Sequence, residues 1–329
     1  MAESKSLDEL SNRLKTTIYN EVVSRVEDPS NATKLELAFR EHLASIHYSL
    51  IGAVPKPGLV EAYYLKYIVA NLKIILKGKA VGKSYEELSR YVHLYPEELA
   101  GRRDLVISSL SAGDLNETAK LLRDSEFGED IDSAIKTFGE TGRTQVFDMY
   151  LDKAIYSRII KEFYSLRRDE LHGIMGSESA KVNSLVSVDL DMYNVLAVLR
   201  AKIWDLEPRT TRELVVKPTF QVSEDVLRSM IETESLDDAI KQLARTEYRH
   251  LVPSGAVDEN AIAKLEEGFN SITYKKSMAP FLWDVFGMSV VMGIIKLKEL
   301  EKRNLTAIAY GVEAKMGFQK IMPKVIFVK

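Results

Sequence analysis

Three stretches of the chain begin a helix in the same way. They are Ser6-Leu7-Asp8-Glu9, Asp114-Leu115-Asn116-Glu117 and Ser235-Leu236-Asp237-Asp238. Each sets a capping residue three positions before an acid, the signature of a helix start whose free N–H groups are capped reciprocally. A shift of 108 residues carries Leu7, Leu14, Thr17 and Tyr19 onto Leu115, Leu122, Ser125 and Phe127. A shift of 229 carries the same four onto Leu236, Leu243, Thr246 and Tyr248. Further on, Phe39, Leu43, Tyr48, Ser49 and Ile51 meet Phe147, Leu151, Tyr156, Ser157 and Ile159 at the 108-residue shift. The third copy is the loosest, because Phe269 needs a one-residue insertion to join Phe39 and Phe147. The pattern implies a triplicated unit of roughly 110 residues, large enough to bury a modest core. Its copies span 1–112, 113–233 and 234–329.

Each copy also carries an asparagine among apolar helical neighbours: Asn71, Asn194 and Asn304. Acids stand five and three positions before the last two, as Asp189 and Asp191 and as Glu299 and Glu301, whereas the first copy has Lys66 and Ile68 there. A mid-helix asparagine is costly unless its amide finds partners. Its repetition therefore predicts a repeated local architecture, with the amide bonded to backbone at a helix crossing.

The 17 glycines and 9 prolines are sparse and gather at joints such as Pro55-Lys56-Pro57-Gly58. Between joints, apolar residues recur at three-four spacing, as in Leu65, Ile68, Val69, Leu72 and Leu76. Only Glu213–Lys217 and Lys324–Val328 alternate well enough to suggest short strands. The fold class predicted is all-α. Closure of the copies about an axis is favoured over an open stack, whose units are usually some 20–45 residues.

Composition excludes several functions. A formal net charge of −3 gives no reason to expect a nucleic-acid partner. Zero cysteines remove disulfides, thiolate metal sites and cysteine nucleophiles. The polar stretch Met1–Lys15 lacks the apolar core of a secretory signal. In the apolar segment Pro280–Ile295 the longest uncharged run, Val285–Ile295, falls short of the ~20 residues of a spanning helix. It reads as a buried core helix opened by Pro280, in a soluble protein.

The chemistry-bearing patterns are weak. Gly78-Lys-Ala-Val-Gly-Lys-Ser84 has three residues, not four, between its first glycine and the Gly-Lys pair, and it follows a helix. It reads as a helix end with Gly78 as left-handed cap, then a new helix capped by Ser84 with Glu87. Among the five histidines none has zinc-ligand spacing, and no nucleophile turn is present. Asp148, Asp152, Glu162 and Asp169, interleaved with Arg158, Lys161, Arg167 and Arg168, read as a solvated, salt-bridged face. Tyr63, Tyr64 and Tyr67 read as packing aromatics. No catalytic, cofactor or metal residue is assigned.

The chain resembles the central-stalk family of rotary archaeal (A-type) and vacuolar (V-type) ATPases, whose members are lettered C in the archaeal complexes and d in the eukaryotic ones. The resemblance spans the whole chain. It rests on Asn71-Leu-Lys-Ile-Ile-Leu-Lys77, on Ile294-Ile-Lys-Leu-Lys-Glu-Leu-Glu-Lys-Arg-Asn-Leu-Thr-Ala-Ile-Ala309, on Ser235–Asp238 with Leu243–Tyr248, and on the triple repeat. It implies a pseudo-threefold helical funnel, a non-catalytic rotor part at the cytoplasmic face of the membrane. The implied partners are the axle subunits, of archaeal D and F type, and the proteolipid c-ring. The implied work is torque transmission between ATP turnover and H⁺ or Na⁺ movement. Pro55, Pro57, Phe281 and Trp283 are expected towards the ring-facing end. Two other readings stand beside it: a cytoplasmic helical-repeat adaptor, and a nucleotide-dependent enzyme built on Gly78–Ser84.

Overall fold

The computed structural model describes residues 1–171, 178–253, 260–283 and 287–326. The helices that frame the repeats are α1 (Leu7–Leu14), α2 (Ala32–Ala53), α3 (Gly58–Ala80), α4 (Arg103–Ser111), α5 (Leu115–Leu122) and α6 (Gly128–Thr141). They continue as α7 (Gln145–Leu171), α8 (Glu178–Ile203), α9 (Glu224–Glu232), α10 (Leu236–Lys241), α11 (Ala261–Met278) and α12 (Met288–Glu313). Among the described residues there is no strand, so the protein is all-α.

Every repeat opens with a short capped helix (α1, α5, α10). Further along comes a long helix bearing the repeated phenylalanine (α2, α7, α11), preceded in the second repeat by α6, and then a second long helix bearing the asparagine (α3, α8, α12). Ser6, Asp114 and Ser235 each accept a hydrogen bond from the backbone N–H three residues on. The reciprocal bond differs from expectation. Glu9 and Glu117 reach past the cap residue to the N–H of Lys5 (2.9 Å) and Gly113 (2.6 Å). Asp238, one methylene shorter, accepts from the Ser235 hydroxyl instead (2.7 Å). After each short helix, Thr17, Ser125 or Thr246 donates to the carbonyl three residues back and accepts the N–H two residues on. That turn swings Tyr19, Phe127 and Tyr248 inward, where all three are buried.

The chain folds into two compact units, Met1–Pro55 with Asn270–Lys329 and Lys56–Phe269. In the first, α2 packs along α12, with α1 also against α12. Its core joins Leu7, Leu10, Leu14, Tyr19 and Phe39 to Leu305, Ile308 and Val312. Apolar contact between the start and the end of the chain therefore builds this unit. In the second, α7 packs along both α3 and α8, while α5 rests on α3 and α10 on α8. Helix α8 holds a stretch, Val182–Ile203, apolar and long enough by composition to cross a membrane, but most of it is buried within the protein. Its apolar residues serve the core on nearly every side.

Pro280–Ile295 is not one buried helix. Pro280–Trp283 forms a single separate turn with Phe281 and Leu282 exposed, and α12 begins afresh at Met288 behind Gly287. Residues 284–286, which include the first two of the uncharged run, lie outside the described residues. The two strand candidates differ as well, although residues 327–328 of the second lie outside the described residues. Glu213 lies in the last turn of the helix Pro208–Leu214, and Lys324 closes a 3-10 turn, Met322–Lys324. Both helical pieces run out into extended backbone with no neighbouring strand among the described residues.

Candidate functional site

The three asparagines make the same clasp. Asn71 donates to the carbonyl of His93 (2.8 Å) and accepts its N–H (3.2 Å). Asn194 does so with Val216 (3.0 and 2.9 Å), and Asn304 with Ile326 (2.9 and 2.8 Å). In every case the partner lies 22 residues later. The side-chain amide stands in for a neighbouring strand, satisfying both backbone polar groups of one residue. This explains the two strand-like stretches: the clasped residues Val216 and Ile326 lie in them. The partner is a non-helical segment rather than a helix crossing.

Eleven residues after each asparagine the backbone turns left-handed, at Gly82 (φ 74°), Asp205 (φ 46°) and Lys315 (φ 53°). At each, the next N–H returns five residues, as from Lys83 to the Gly78 carbonyl (2.9 Å), from Leu206 to Ala201 (2.9 Å) and from Met316 to Gly311 (2.8 Å). This closes the helix by the paired-bond C-terminal motif. Gly78 is therefore not the left-handed cap; it lies inside α3 against Leu88, and Gly82 takes that role. Ser84 and Glu87 form the expected reciprocal capping box. Eight residues after the asparagine, Lys79 donates to the Ala112 carbonyl, and Lys202 to those of Ile231 (3.0 Å) and Thr233. These lysines secure the ends of α4 and α9.

Of the acids before the asparagines, Asp189 and Asp191 are buried acceptors, while Glu299 and Glu301 are partly exposed. Asp191, 1% exposed, accepts the N–H groups of Gln221 (3.1 Å) and Val222 (3.2 Å) and the Tyr248 hydroxyl (2.8 Å). Asp189, 2% exposed, accepts the Tyr63 hydroxyl at 2.6 Å. In the third repeat Glu299 pairs with Lys296 (3.2 Å) and Glu301 with Lys298. Burial and then the adjacent carboxylate push the hydroxyls of Tyr63, Tyr248 and Tyr19 well up, so all three remain donors. Tyr64 bonds the Pro96 carbonyl (2.9 Å), and Tyr67 is buried beside it.

Of the acids expected to form a solvated face on α7, Glu162 pairs with Arg158 on the same helix (3.0 Å). Asp148 and Asp152 instead cross to Lys77 (2.9 Å) and Lys73 (2.5 Å) of α3. The Asp169 side chain lies outside the described residues. A cavity of about 250 Å³ opens beside these pairs, lined by Lys73, Asp148, Asp152, Tyr193, Arg200 and Trp204. Its charges are matched within the protein, since Arg200 also reaches Glu266 (3.6 Å). Among the described residues no cluster of three or more His, Asp or Glu is arranged to hold a metal.

The loop Gly78–Ser84 spends its backbone donors on closing α3, so it does not cradle a phosphate. Pro55 is exposed and Pro57 half-buried at the bend before α3. Phe281 is 45% and Leu282 75% exposed, close in sequence to Met278 at 44%. The Trp283 side chain lies outside the described residues.

The model of the "ATP synthase (C/AC39) subunit" family matches residues 1–323 of the chain. The A-type ATP synthase C subunit of Methanocaldococcus jannaschii is 30% identical over 227 residues, covering 66% of this chain and 53% of that protein. The same-named protein of Methanosphaera stadtmanae is 24% identical over 94% of the chain and 77% of its own length. That of Pyrococcus abyssi is 23% identical over 98% and 82%. The chain thus spans about half of the first relative and about four fifths of the other two.

Proposed function

Since this chain belongs to the ATP synthase (C/AC39) subunit family, we propose that it is the rotor socket of an A/V-type rotary ATPase, joining the central axle to the membrane proteolipid ring. It is a subunit of such a complex and not itself catalytic. In this reading the three repeats close about an axis into a funnel whose cavity takes the axle tip, and the chain sits peripherally at the cytoplasmic face of the membrane. Torque from ATP turnover passes through it to the ion-carrying ring, or the reverse.

The observation that carries this reading is the docking of the first repeat on the last. Tyr19 and Phe39 share a core with Leu305 and Ile308. Such a partnership is what a closed arrangement requires and an open stack does not offer. Stiffness is the second support. Each repeat pins its asparagine helix at positions 11 and 22 residues on, and close-packed interiors transmit strain with little compression. For the ring-facing end, the exposed Phe281 and Leu282 are the apolar contact, with Pro55, Pro57 and Trp283 placed beside it in this reading.

Reconstitution of the full chain with its axle subunits and with purified proteolipid ring tests the proposal. Co-elution with each partner is expected. A Phe281→Glu/Leu282→Glu variant should lose the ring while still binding the axle. Failure of the unaltered chain to bind either partner refutes the socket, and ring binding unchanged in the double variant refutes the apolar contact.

A further inference from the structure

Three residues after the repeated phenylalanine stand His42, Tyr150 and Ile272, and of these only His42 titrates near neutral pH. His42 lies on α2, the helix that packs along α12 where the start of the chain meets its end. Its ring sits 4.4 Å from that of Tyr19, which meets Phe39 edge-on at 5.6 Å, and both aromatics belong to the core joining the two ends. The Nε2 atom of His42 is shut off from solvent and has no hydrogen-bond partner among the described residues. The charged side chains that act on the imidazole are Lys298 and Glu301 of α12 and Glu21 of the short helix Asn20–Ser24. Each of these carboxylates already holds a cation, Lys298 on Glu301 and Arg25 on Glu21. On α2 itself, Glu36 is engaged by Lys302 and Tyr310, burial pushes the Glu41 carboxyl up, and His47 is fully buried.

We propose that His42 is an acid-operated release of the first repeat from the last: neutral, it lets α2 and the Tyr19 turn seat against α12, and protonated, it loosens that seat. A neutral imidazole can carry its proton on Nδ1 and leave Nε2 a bare acceptor at small cost. The imidazolium has an N–H on both nitrogens, so protonation sets a charged donor at Nε2 with nothing to accept it. Burial first, and the Lys298 ammonium second, hold the imidazole below its ordinary 6.5 against the opposing pull of Glu301 and Glu21. A lowered folded value leaves the joint at full strength above pH 6.5 and weakens it as pH falls through that folded value. The counterpart on α7, the helix packed along α3, is Tyr150, which stays neutral throughout this range and bonds the Thr137 hydroxyl (3.1 Å). The switch therefore belongs to the joint that no peptide link closes. It is independent of the rotor reading.

Amide hydrogen exchange of the full chain at about pH 7.5 and about pH 5.5, corrected for the intrinsic rate at each, tests the release. The comparison is with His42→Phe, which keeps a ring on Tyr19 and cannot be charged. On acidification, protection in Leu7–Leu14 and in residues 305–312 should fall about fivefold further in the unaltered chain than in the variant. Protection in Leu115–Leu122 should fall equally in the two proteins. An equal fall in all segments of both proteins refutes the release and assigns the acid effect to His47 or to carboxylates. A difference that extends in full to Leu115–Leu122 refutes its confinement to this joint. NMR titration of the unaltered chain decides the matter if His42→Phe does not fold. A His42 imidazole that titrates below 6.5, together with loss of protection in Leu7–Leu14 over the same range, supports the release, and one that titrates at or above 6.5 overturns it.

Discussion

Helices α3 and α8 hold the same place in successive repeats and are finished with different chemistry. Both clasp a residue 22 positions on and both turn left-handed at position 11. Yet α3 has Ile68 and Gly82 where α8 has Asp191 and Asp205. The satisfaction of backbone polar groups stays constant, while side-chain charge varies. The backbone clasp itself is held by a neutral amide in each repeat, though in α3 that amide also donates to the buried Glu97 carboxylate (2.6 Å). Ionic contacts are local additions to that frame.

Removing a clasp is the strongest way to break this equivalence. Asn194→Ala leaves the N–H and carbonyl of Val216 unpaired in a buried site and should cost about 3 kcal/mol in denaturant unfolding. Asn71→Ala should cost at least as much, because that amide also donates to the buried Glu97 carboxylate (2.6 Å). Asn304→Ala should cost about half as much, because Asn304 is only half-buried and water replaces part of the bond. Equal losses for Asn71 and Asn194 would place the energy in the backbone clasp; a much larger loss at Asn71 would place part of it in the Glu97 bond.

The next effect concerns an acid of α8. Tyr63→Phe withdraws a 2.6 Å donor from Asp189 and should cost about 1.5 kcal/mol, read from the same unfolding curves. Smaller again is the gain from making the second helix end like the first. Asp205→Gly, and likewise Lys315→Gly, relieves a left-handed non-glycine residue and should stabilise by about 0.5–1 kcal/mol. No gain at either position would mean that its side chain contributes something glycine cannot.

The smallest effect tests the claim that ion pairs are additions. Burial pushes the Glu36 carboxyl up, but the Lys302 ammonium at 2.6 Å and the Tyr310 hydroxyl at 3.0 Å bring it below its ordinary value. A depressed folded pKa adds stability that is complete above the unfolded value, near 4.5, and is lost as pH falls through the folded one. Glu36→Gln should therefore cost under about 1 kcal/mol at pH 7, with the two stability curves converging at the acid end.

How much of the fold and the clasps was legible in the sequence depended on the range of each interaction. The caps at Ser6, Asp114 and Ser235 were readable because donor and acceptor lie three residues apart. The all-α class was readable from apolar spacing. The asparagines announced themselves as polar residues in apolar helices, but their partners did not. His93 shares no side-chain chemistry with the aliphatic Val216 and Ile326, since only the backbone is used. A fixed 22-residue spacing was the available signal. The helix ends at Asp205 and Lys315 were hidden because neither is glycine. The separate turn at Pro280–Trp283 was masked by continuous hydrophobicity, which reports burial poorly when an apolar face meets solvent. Asp148 and Asp152 looked like local ion-pair partners because a sequence displays neighbours on one helix and not the cations of α3.

The clasp also bears on the order of assembly. Each amide finds its partner after a 22-residue excursion, a short loop whose entropy of closure is modest. A repeat can thus set its own hairpin-like return before meeting another repeat, and early, local contacts favour rapid folding. The slow event left over is the meeting of chain ends that brings Leu10 and Phe39 onto Leu305, hundreds of residues away along the polypeptide.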